Sequence, residues 1–256
     1  MPKQNGEIST LYTRKLMNQR IQISAKNLGA LAVSSFCPRC FWVRMKCGDR
    51  LPFQIFPGIF SSIDSYSKKV TTAHFRRHGR VPIWFNGFGE LGEPVPVPGW
   101  SKFQMLDPET NILLTGVPDE VLRHPQRGTW IGDYKTARVT DTQDTLAAMY
   151  EVQLNCYALI APKIGLGSVY GLGLLYYEPV TELDFRDTDF LIRQDRLFME
   201  FSPKLKPVKL EPEIIPPLLR QVREICDLAE CPPGRPDCRD CSRLEILAKH
   251  CVIFRT

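Results

Sequence analysis

The order of predicted elements between residues 101 and 180 restricts the fold of this chain most. Three strand-like runs, SKFQMLD, NILLTGVPDEVLRH and GTWIGDYKTA, are separated by the turn-forming segments DPET and PQRG. The stretch DTQDTLAAMYEVQLNCYALIAPKIG has apolar residues at three- and four-residue spacing and predicts a helix. SVYGLGLLYYEPV then has the composition of a buried strand. The pattern predicts an antiparallel meander, a helix and a further strand, which is an α/β core.

Segments on both sides of this core have patterns of their own. Ser24 is suited to cap a helix over residues 25–45, and residues 59–79 form an amphipathic helical pattern that a glycine closes. After the core, residues 195–211 have the composition of a strand pair. Residues 212–230 predict a helix with proline in its first turn. We therefore expect an α/β core with helical flanks and a cysteine-rich C-terminal segment.

The domain organisation is predicted to be simple. Residues 1–22 are polar and are expected to form an extension, while residues 23–256 are expected to form one domain without internal repeats. Within that domain we expect a helical part at 23–100 and the core at 101–180. Strands, a helix and the cysteine-rich tail are expected at 181–256.

Composition excludes some classes of protein. Hydrophobic residues make up 43% of the chain and charged residues 24%, as in ordinary globular proteins. No apolar run is long enough to span a membrane, and the N-terminal residues lack the apolar region of a secretory signal, so we expect a cytoplasmic protein. The net charge of +5 is compatible with a polyanionic partner. The segment HFRRHGR, residues 74–80, is either a solvated helix end or a phosphate contact.

The segment IGDYKTA places an acid and a lysine two residues apart in a predicted strand. Side chains at i and i+2 share a face of a strand, so Asp133 and Lys135 must point into one space. Asp119 lies in the preceding strand-like run and comes near Asp133 if the two runs pair. Two close carboxylates need a cation between them, and Mg²⁺ or Mn²⁺ prefers such oxygen ligands. The carbonyl of Tyr134 is a candidate third ligand, and Lys135 would orient the attacking water or stabilise charge on a phosphate.

The predicted helix after this strand carries two polar residues on one face. Gln153 and Tyr157 are four residues apart, so both face the same direction. Both side chains can donate hydrogen bonds to a phosphate or a base. Because they directly follow the strand with Asp133, we expect them to contribute to the same site.

These segments together resemble a known superfamily. GVPDEV, GDYKTA and QLNCY, in this order, are similar to motifs of the PD-(D/E)XK nucleases, and most of all to the RecB-like branch that includes the CRISPR-associated RecB-like exonucleases. The resemblance implies a restriction-endonuclease-like core with the element order αβββαβ. It implies that Asp119 and Asp133 bind the catalytic metal and that Lys135 is the catalytic lysine. Gln153 and Tyr157 would stand in the motif that contacts DNA.

Nine cysteines are unevenly distributed along the chain. All but Cys156 lie near one end or the other, and in a reducing compartment such clusters favour metal or iron–sulfur ligation over disulfides. The two groups are Cys37, Cys40 and Cys47, and Cys226, Cys231, Cys238, Cys241 and Cys251.

The resemblance extends to some of these cysteines. SSFCPRCFW is similar to the early cysteine segment of the iron–sulfur members of the branch, which implies a 4Fe–4S cluster bound by Cys37, Cys238, Cys241 and Cys251. Cys251 lies farther from the pair than is usual there, so Cys231 and Cys40 are alternative fourth ligands. With Cys40, the two Cys-x2-Cys pairs would instead form a tetrahedral zinc site. A third alternative is that no metal binds and the thiols are buried small hydrophobes.

The chain also departs from the branch in its first helix. Many relatives carry a histidine there, and this sequence has Ser61 and Ser62 at the corresponding place. Asp64 follows and is a candidate metal ligand or a solvated helix acid. The absence of the histidine leaves metal binding open but is expected to affect activity.

The leading hypothesis is therefore a Mg²⁺- or Mn²⁺-dependent deoxyribonuclease that acts on single strands or DNA ends. The resemblance suggests DNA repair, recombination, phage DNA processing or CRISPR spacer acquisition as its context. One alternative is an inactive DNA-binding or docking subunit of a larger complex. Another is a zinc-stapled interaction module in which Asp133 and Lys135 form only a salt bridge.

Overall fold

A computed structural model describes residues 19–48, 58–136, 145–182 and 189–252. The α-helices are α1 (Ala25–Gly29), α2 (Pro38–Lys46), α3 (Gly58–His78), α4 (Ala147–Ile160), α5 (Ile215–Asp227) and α6 (Arg239–Val252). The strands are β1 (Ile21–Ser24), β2 (Glu93–Pro94), β3 (Gln104–Asp107), β4 (Ile112–Thr115), β5 (Glu120–His124), β6 (Gly128–Lys135), β7 (Val169–Pro179), β8 (Ile192–Arg193), β9 (Arg196–Leu197) and β10 (Phe201–Val208). Short 3-10 helices are Ala30–Ala32, Ile83–Phe88, Ala161–Ile164 and Pro212–Ile214.

The strands form two main sheets and a small hairpin. The larger sheet has the order β10-β7-β6-β5-β2, in which β6 and β7 are parallel and the other neighbours are antiparallel. The smaller sheet has the order β1-β4-β3, with β1 and β4 parallel. Among the described strands, β8 and β9 pair with each other alone. The mixed α/β class predicted from the sequence is confirmed.

The predicted meander is wrong in one respect. The strand-like run over residues 111–124 forms two strands in different sheets, β4 and β5, because the chain changes direction between them. Pro118 has no N–H to donate to a strand partner, and Gly116 donates its N–H to Phe103 O at 3.1 Å. The turn before β6 does join two antiparallel neighbours, as predicted. Because the chain changes direction here, Asp119 lies immediately before the first residue of β5.

The first predicted helix is shorter than expected. Ser24 caps it, accepting a hydrogen bond from Asn27 N at 3.2 Å, but α1 and its 3-10 extension end at Ala32. The backbone is extended at Val33 and Cys37, and a separate helix begins at Pro38, where proline is favoured. The strand β1 precedes the cap and begins inside the predicted polar extension, whose residues 1–18 lie outside the described chain.

The later helices follow their patterns more closely. Helix α3 ends before Gly79, which has a φ of +67°, and α5 has prolines in its first turn. The helix predicted over residues 141–165 is observed as α4 and the short 3-10 helix after it, while residues 141–144 lie outside the described chain. Of the predicted strand pair over residues 195–211, β10 joins the larger sheet, while β9 belongs to the hairpin.

Helix α4 lies at the centre of the main hydrophobic core. Its buried side chains pack with those of β1, β4, β6, β7 and α5 on one face of the larger sheet. Gly29 of α1 permits a close approach, because a Cβ there would overlap the backbone of Met149 in α4. A second cluster covers the opposite face of the sheet and includes Phe85, Trp130 and Tyr134. None of the helices in the described ranges is both long and apolar enough to cross a membrane.

Candidate functional site

Asp119 is held at the end of β5 by the backbone of β6. Its N–H donates to Gly132 O at 3.2 Å, and its Oδ2 accepts a hydrogen bond from Tyr134 N at 2.8 Å. Gly132 and Tyr134 face the same strand edge because they are two residues apart. The carbonyl of Tyr134 therefore points to the edge occupied by Asp119, as its predicted role as a metal ligand requires.

Asp133 lies next to Asp119, on the face of β6 that packs against α4. Only 3% of its surface is exposed, and it forms an ion pair with Lys135. Its Oδ1 accepts a hydrogen bond from Gln153 Nε2 at 3.2 Å. The expected sharing of one face by Asp133 and Lys135 is thus observed.

The two polar residues predicted on α4 join this group. Gln153 Nε2 also donates to the Tyr157 hydroxyl at 2.7 Å, and Gln153 Oε1 accepts from Lys135 Nζ at 3.4 Å. The ammonium of Lys135 lies 4.2 Å from the ring centre of Tyr150. Gln153 therefore connects the acid, the lysine and the tyrosine. The sequence predicted that both helix residues belong to this site, but not which side chains they contact.

Helix α3 contributes an acid, Asp64, and a lysine, Lys68, to the same site. Lys68 Nζ lies 2.9 Å from Asp64 Oδ2 and 2.8 Å from Asp119 Oδ1. The second carboxylate oxygen of Asp64, Oδ1, is buried and has no hydrogen-bond partner in the described part of the chain. Asp64, which the sequence offered either as a metal ligand or as a solvated acid, therefore lies near Asp119, because Lys68 forms ion pairs with both. Lys68 itself was not predicted, because an acid and a lysine four residues apart are typical of a solvated helix face.

Burial and repulsion between neighbouring carboxylates disfavour the charged forms of Asp119 and Asp133. Burial, followed by the charge of Asp133, raises the pKa of Asp119 to about 7, while Lys68 acts against this shift. Burial also raises the pKa of Asp133, although Lys135 opposes it. Carboxylates in this condition are stabilised by any cation that reaches them, so the site has the electrostatics of a cation-binding position.

A buried network behind the site fixes α3 against β6. The Tyr134 hydroxyl donates to Glu120 Oε2 at 2.6 Å and lies 3.1 Å from Thr71 Oγ1 of α3. Burial raises the pKa of Glu120 to about 7, although the hydrogen bond from Tyr134 acts against the shift. Glu120 was not predicted, because the pattern of a strand-like run does not distinguish a buried acid from an acid at the surface.

The serines at the place of the expected histidine do not replace it. Ser61 and Ser62 are both exposed, and the Ser62 hydroxyl donates to the Gly58 carbonyl of its own helix at 3.2 Å. Ser62 also lines an open cavity of about 420 Å³ with Tyr66 and Trp84. The third acid at the site is Asp64, two residues after Ser62 on α3.

Four cysteines from the two ends of the chain form a second candidate site. The thiols of Cys37, Cys40, Cys238 and Cys241 all lie within 4.8 Å of one another and could bind a metal, either Zn²⁺ or an iron–sulfur cluster. The fourth member is Cys40, one of the two alternatives. Cys231 is exposed, and its thiol donates weakly to Pro232 O at 3.8 Å. The side chain of Cys251 lies outside the described residues.

Backbone groups favour a thiolate within this cluster. Burial acts to raise the pKa of Cys37, but N–H groups of Cys40 and Arg235 and the neighbouring thiols together lower it to about 6. Burial raises the pKa of Cys241 to about 11, with a contribution from Cys37. Cys37 thus ionises readily while Cys40 and Cys241 resist, which is the behaviour of close thiols that a cation would allow to ionise together.

Comparisons with known proteins assign no function to either of these two sites. No protein-family model matches the sequence, and no curated protein matches it at a significant level. A solved structure described as the crystal structure of SSO0001 is similar over 86% of this chain and 87% of its own. The TM-score is 0.37 and the sequence identity is 12%, a likeness that indicates neither a family nor a function.

Proposed function

We propose that this protein is a Mg²⁺- or Mn²⁺-dependent deoxyribonuclease with a restriction-endonuclease-like core of the RecB-like type. The observation that carries the proposal is the convergence of three acids and two lysines at one strand edge. Asp119 directly precedes β5, Asp133 comes from β6 and Asp64 from α3; Lys68 pairs with Asp64 and Asp119, and Lys135 pairs with Asp133. The charges of Asp64 and Lys68 act on Asp133 as well, so the two groups are neighbours. The similarity of GVPDEV, GDYKTA and QLNCY to the PD-(D/E)XK motifs supports the same assignment.

The donor set suits a hard divalent cation. Asp119, Asp133, Asp64 and the Tyr134 carbonyl offer only oxygen atoms, which Mg²⁺ and Mn²⁺ prefer. The buried Oδ1 of Asp64 still lacks a hydrogen-bond partner among the described residues, so it is available to a ligand. A bound ion would supply Lewis-acid stabilisation of the scissile phosphate and lower the pKa of a bound water.

The remaining groups have roles that need only their observed contacts. Lys135 lies on the same face of β6 as Asp133 and pairs with it. From there it can orient the attacking water or stabilise the charge that develops on the phosphate. Gln153 keeps Lys135 and Asp133 in place. Its Nε2 already donates to Asp133 and Tyr157, so a contact with the DNA backbone would require these hydrogen bonds to rearrange. The cysteine site shares no residue with this chemistry, and we assign it a structural role.

The direct test is cleavage of end-labelled single- and double-stranded DNA by protein purified without oxygen. Reactions contain Mg²⁺, Mn²⁺ or EDTA, and compare the wild type with Asp133→Asn and with Asp195→Asn. Asp195 is an exposed acid between β8 and β9, 3.9 Å from Arg196, and is the matched control. We expect metal-dependent cleavage that Asp133→Asn reduces by about a hundredfold or more, since it removes a charged metal ligand. Asp195→Asn should cleave normally.

Two outcomes would redirect the assignment. If folded protein binds Mn²⁺ and DNA but does not cleave, the protein acts as a DNA-binding or docking subunit. If it binds neither, the interaction of Asp133 with Lys135 is a salt bridge in a metal-stapled interaction module.

A further inference from the structure

We infer that the four-cysteine site holds a single tetrahedral Zn²⁺ ion and not a four-iron cluster. The inference is independent of the proposed nuclease activity, because it rests on the cysteine site alone. It assigns all four ligands: Cys37 and Cys40 at the start of α2, and Cys238 and Cys241 at the start of α6.

The spacing of the sulfur atoms carries the inference. Cys37 Sγ lies 3.5 Å from Cys241 Sγ, and Cys40 Sγ lies 3.6 Å from the Sγ atoms of both Cys238 and Cys241. All remaining separations are within 4.8 Å. With zinc–sulfur bonds of about 2.3 Å, the edge of a regular tetrahedron of thiolates is about 3.8 Å. The observed separations fit that figure.

A four-iron cluster needs a wider arrangement of the same ligands. Each thiolate then binds a different iron atom, so the irons and sulfides of the cluster lie between the thiolates and hold them apart. The three close contacts around Cys40 and Cys241 leave no such space. The sequence agrees, since two Cys-x2-Cys pairs are the spacing of structural zinc sites.

The residues around the four thiols pack closely against them and connect the two cysteine segments. Gly234 lies against Cys241, and a Cβ at this glycine would come within 2.7 Å of Cys241 Sγ. Arg235 N donates to Cys37 Sγ at 3.2 Å, a contact that stabilises a thiolate ligand. Arg39 connects the two cysteine segments, as its Nε donates to Pro232 O at 3.3 Å and its Nη1 to Glu245 Oε1 at 2.9 Å.

Metal analysis tests the inference without any assay of activity. The full chain is produced in medium that contains both iron and zinc, purified without oxygen, and analysed for zinc, iron and acid-labile sulfide. The variant Cys40→Ser removes an inferred ligand, and Cys231→Ser is the matched control because Cys231 is exposed and outside the cluster. Zinc-edge X-ray absorption of the wild type then reports the ligand atoms directly.

We expect about one zinc per chain in the wild type and in Cys231→Ser, with four sulfur neighbours at about 2.3 Å. In Cys40→Ser the zinc content should fall towards zero. Iron with sulfide, iron alone, or a metal-free folded wild type would each overturn the inference. Because the wild-type measurement decides the question, it stands even if Cys40→Ser does not fold.

Discussion

Lys68 occupies the place between two carboxylates where a divalent cation would be expected. Its ammonium is within 3 Å of both Asp64 and Asp119, so these acids have a cationic partner without metal. A metal ion must displace this lysine or share the acids with it. Lys68 should therefore weaken metal binding, in contrast to Lys135, whose proposed role begins once the phosphate is bound.

Replacing Lys68 with methionine tests this competition. The variant Lys68→Met keeps a long side chain but removes the charge, so we expect Mn²⁺ to bind about tenfold more tightly, a gain of about 1.4 kcal/mol. Titration calorimetry without DNA measures the affinity. Lys69→Met is the control, because Lys69 is the exposed neighbour on the same helix. An affinity that does not rise in Lys68→Met would show that the lysine does not compete with the metal.

The raised pKa of Asp119 has a consequence for stability without metal. Its pKa in the folded chain is about 7, against 3.8 ordinarily, so the folded state binds more protons than the unfolded state between these values. The stabilisation is complete below about pH 4 and is lost as pH rises through about 7, by up to about 1.4 kcal/mol per pH unit. Glu120 acts in the same direction.

Denaturant unfolding from pH 4 to pH 8, without Mg²⁺ or Mn²⁺, measures this effect. Asp119→Asn cannot ionise, so its free energy of unfolding should fall less steeply with pH than that of the wild type. The difference between the two slopes reports Asp119 together with the effect of its charge on neighbouring carboxyl groups such as Glu120. Equal slopes would mean that Asp119 is already ionised across this range.

At the scale of the elements, helix α4 packs closely against the segment after β4 at Gly116. A Cβ at this position would overlap the ring of Tyr157, whose hydroxyl belongs to the network around Gln153. Gly116→Ala should therefore displace α4, lower the free energy of unfolding by about 1–3 kcal/mol and weaken Mn²⁺ binding. Unfolding and calorimetric titrations measure the two effects.

Gly99→Ala is the appropriate comparison for that variant. A Cβ at Gly99 meets no atom within 4 Å, so its stability and metal affinity should match those of the wild type. If Gly116→Ala also behaves like the wild type, α4 adjusts its position without cost, and the site tolerates a shift of Tyr157.

The sequence predicts local elements better than their assembly. Periodicity indicated α3 and α5, and Ser24 marked the start of α1, because these signals depend on nearby residues. The division of residues 111–124 between two sheets depends on which strands β4 and β5 find elsewhere in the chain, and no local pattern reports that. The run looked continuous since both of its halves are buried.

The same distinction applies within the site. Asp133 and Lys135 could be placed together because strand geometry alone fixes their common face. Lys68 and Glu120 could not be placed, because they reach the site through the packing of α3 against β6. For the cysteines, spacing suggested two pairs, but only the fold brings Cys40 rather than Cys231 to the other three thiols.

Over the whole molecule, helix α3 leads from the carboxylates to a basic end. Arg76 and Arg77 are exposed in its last turn, about 12 Å along the helix from Lys68. A DNA strand bound at the carboxylates could continue along this helix. Arg76→Gln combined with Arg77→Gln should weaken DNA binding and reduce the slope of log affinity against log salt by about one for each phosphate that is no longer neutralised.

Binding measured at several salt concentrations tests this path. The control is the pair Arg193→Gln and Arg196→Gln, which removes two exposed arginines from the β8–β9 hairpin. If both double variants bind DNA equally weakly, the contribution of the arginines is only their share of the net charge. If only the control variant binds more weakly, DNA takes another path.

The cysteine site also imposes an order of events during synthesis. Cys37 precedes Cys241 by 204 residues, so at about 5–20 residues per second the ribosome needs roughly 10 to 40 s to produce the second pair after the first. During that interval only Cys37 and Cys40 are present, so no metal ion can be held by all four thiolates. The inferred zinc site therefore forms only after Cys238 and Cys241 have been synthesised.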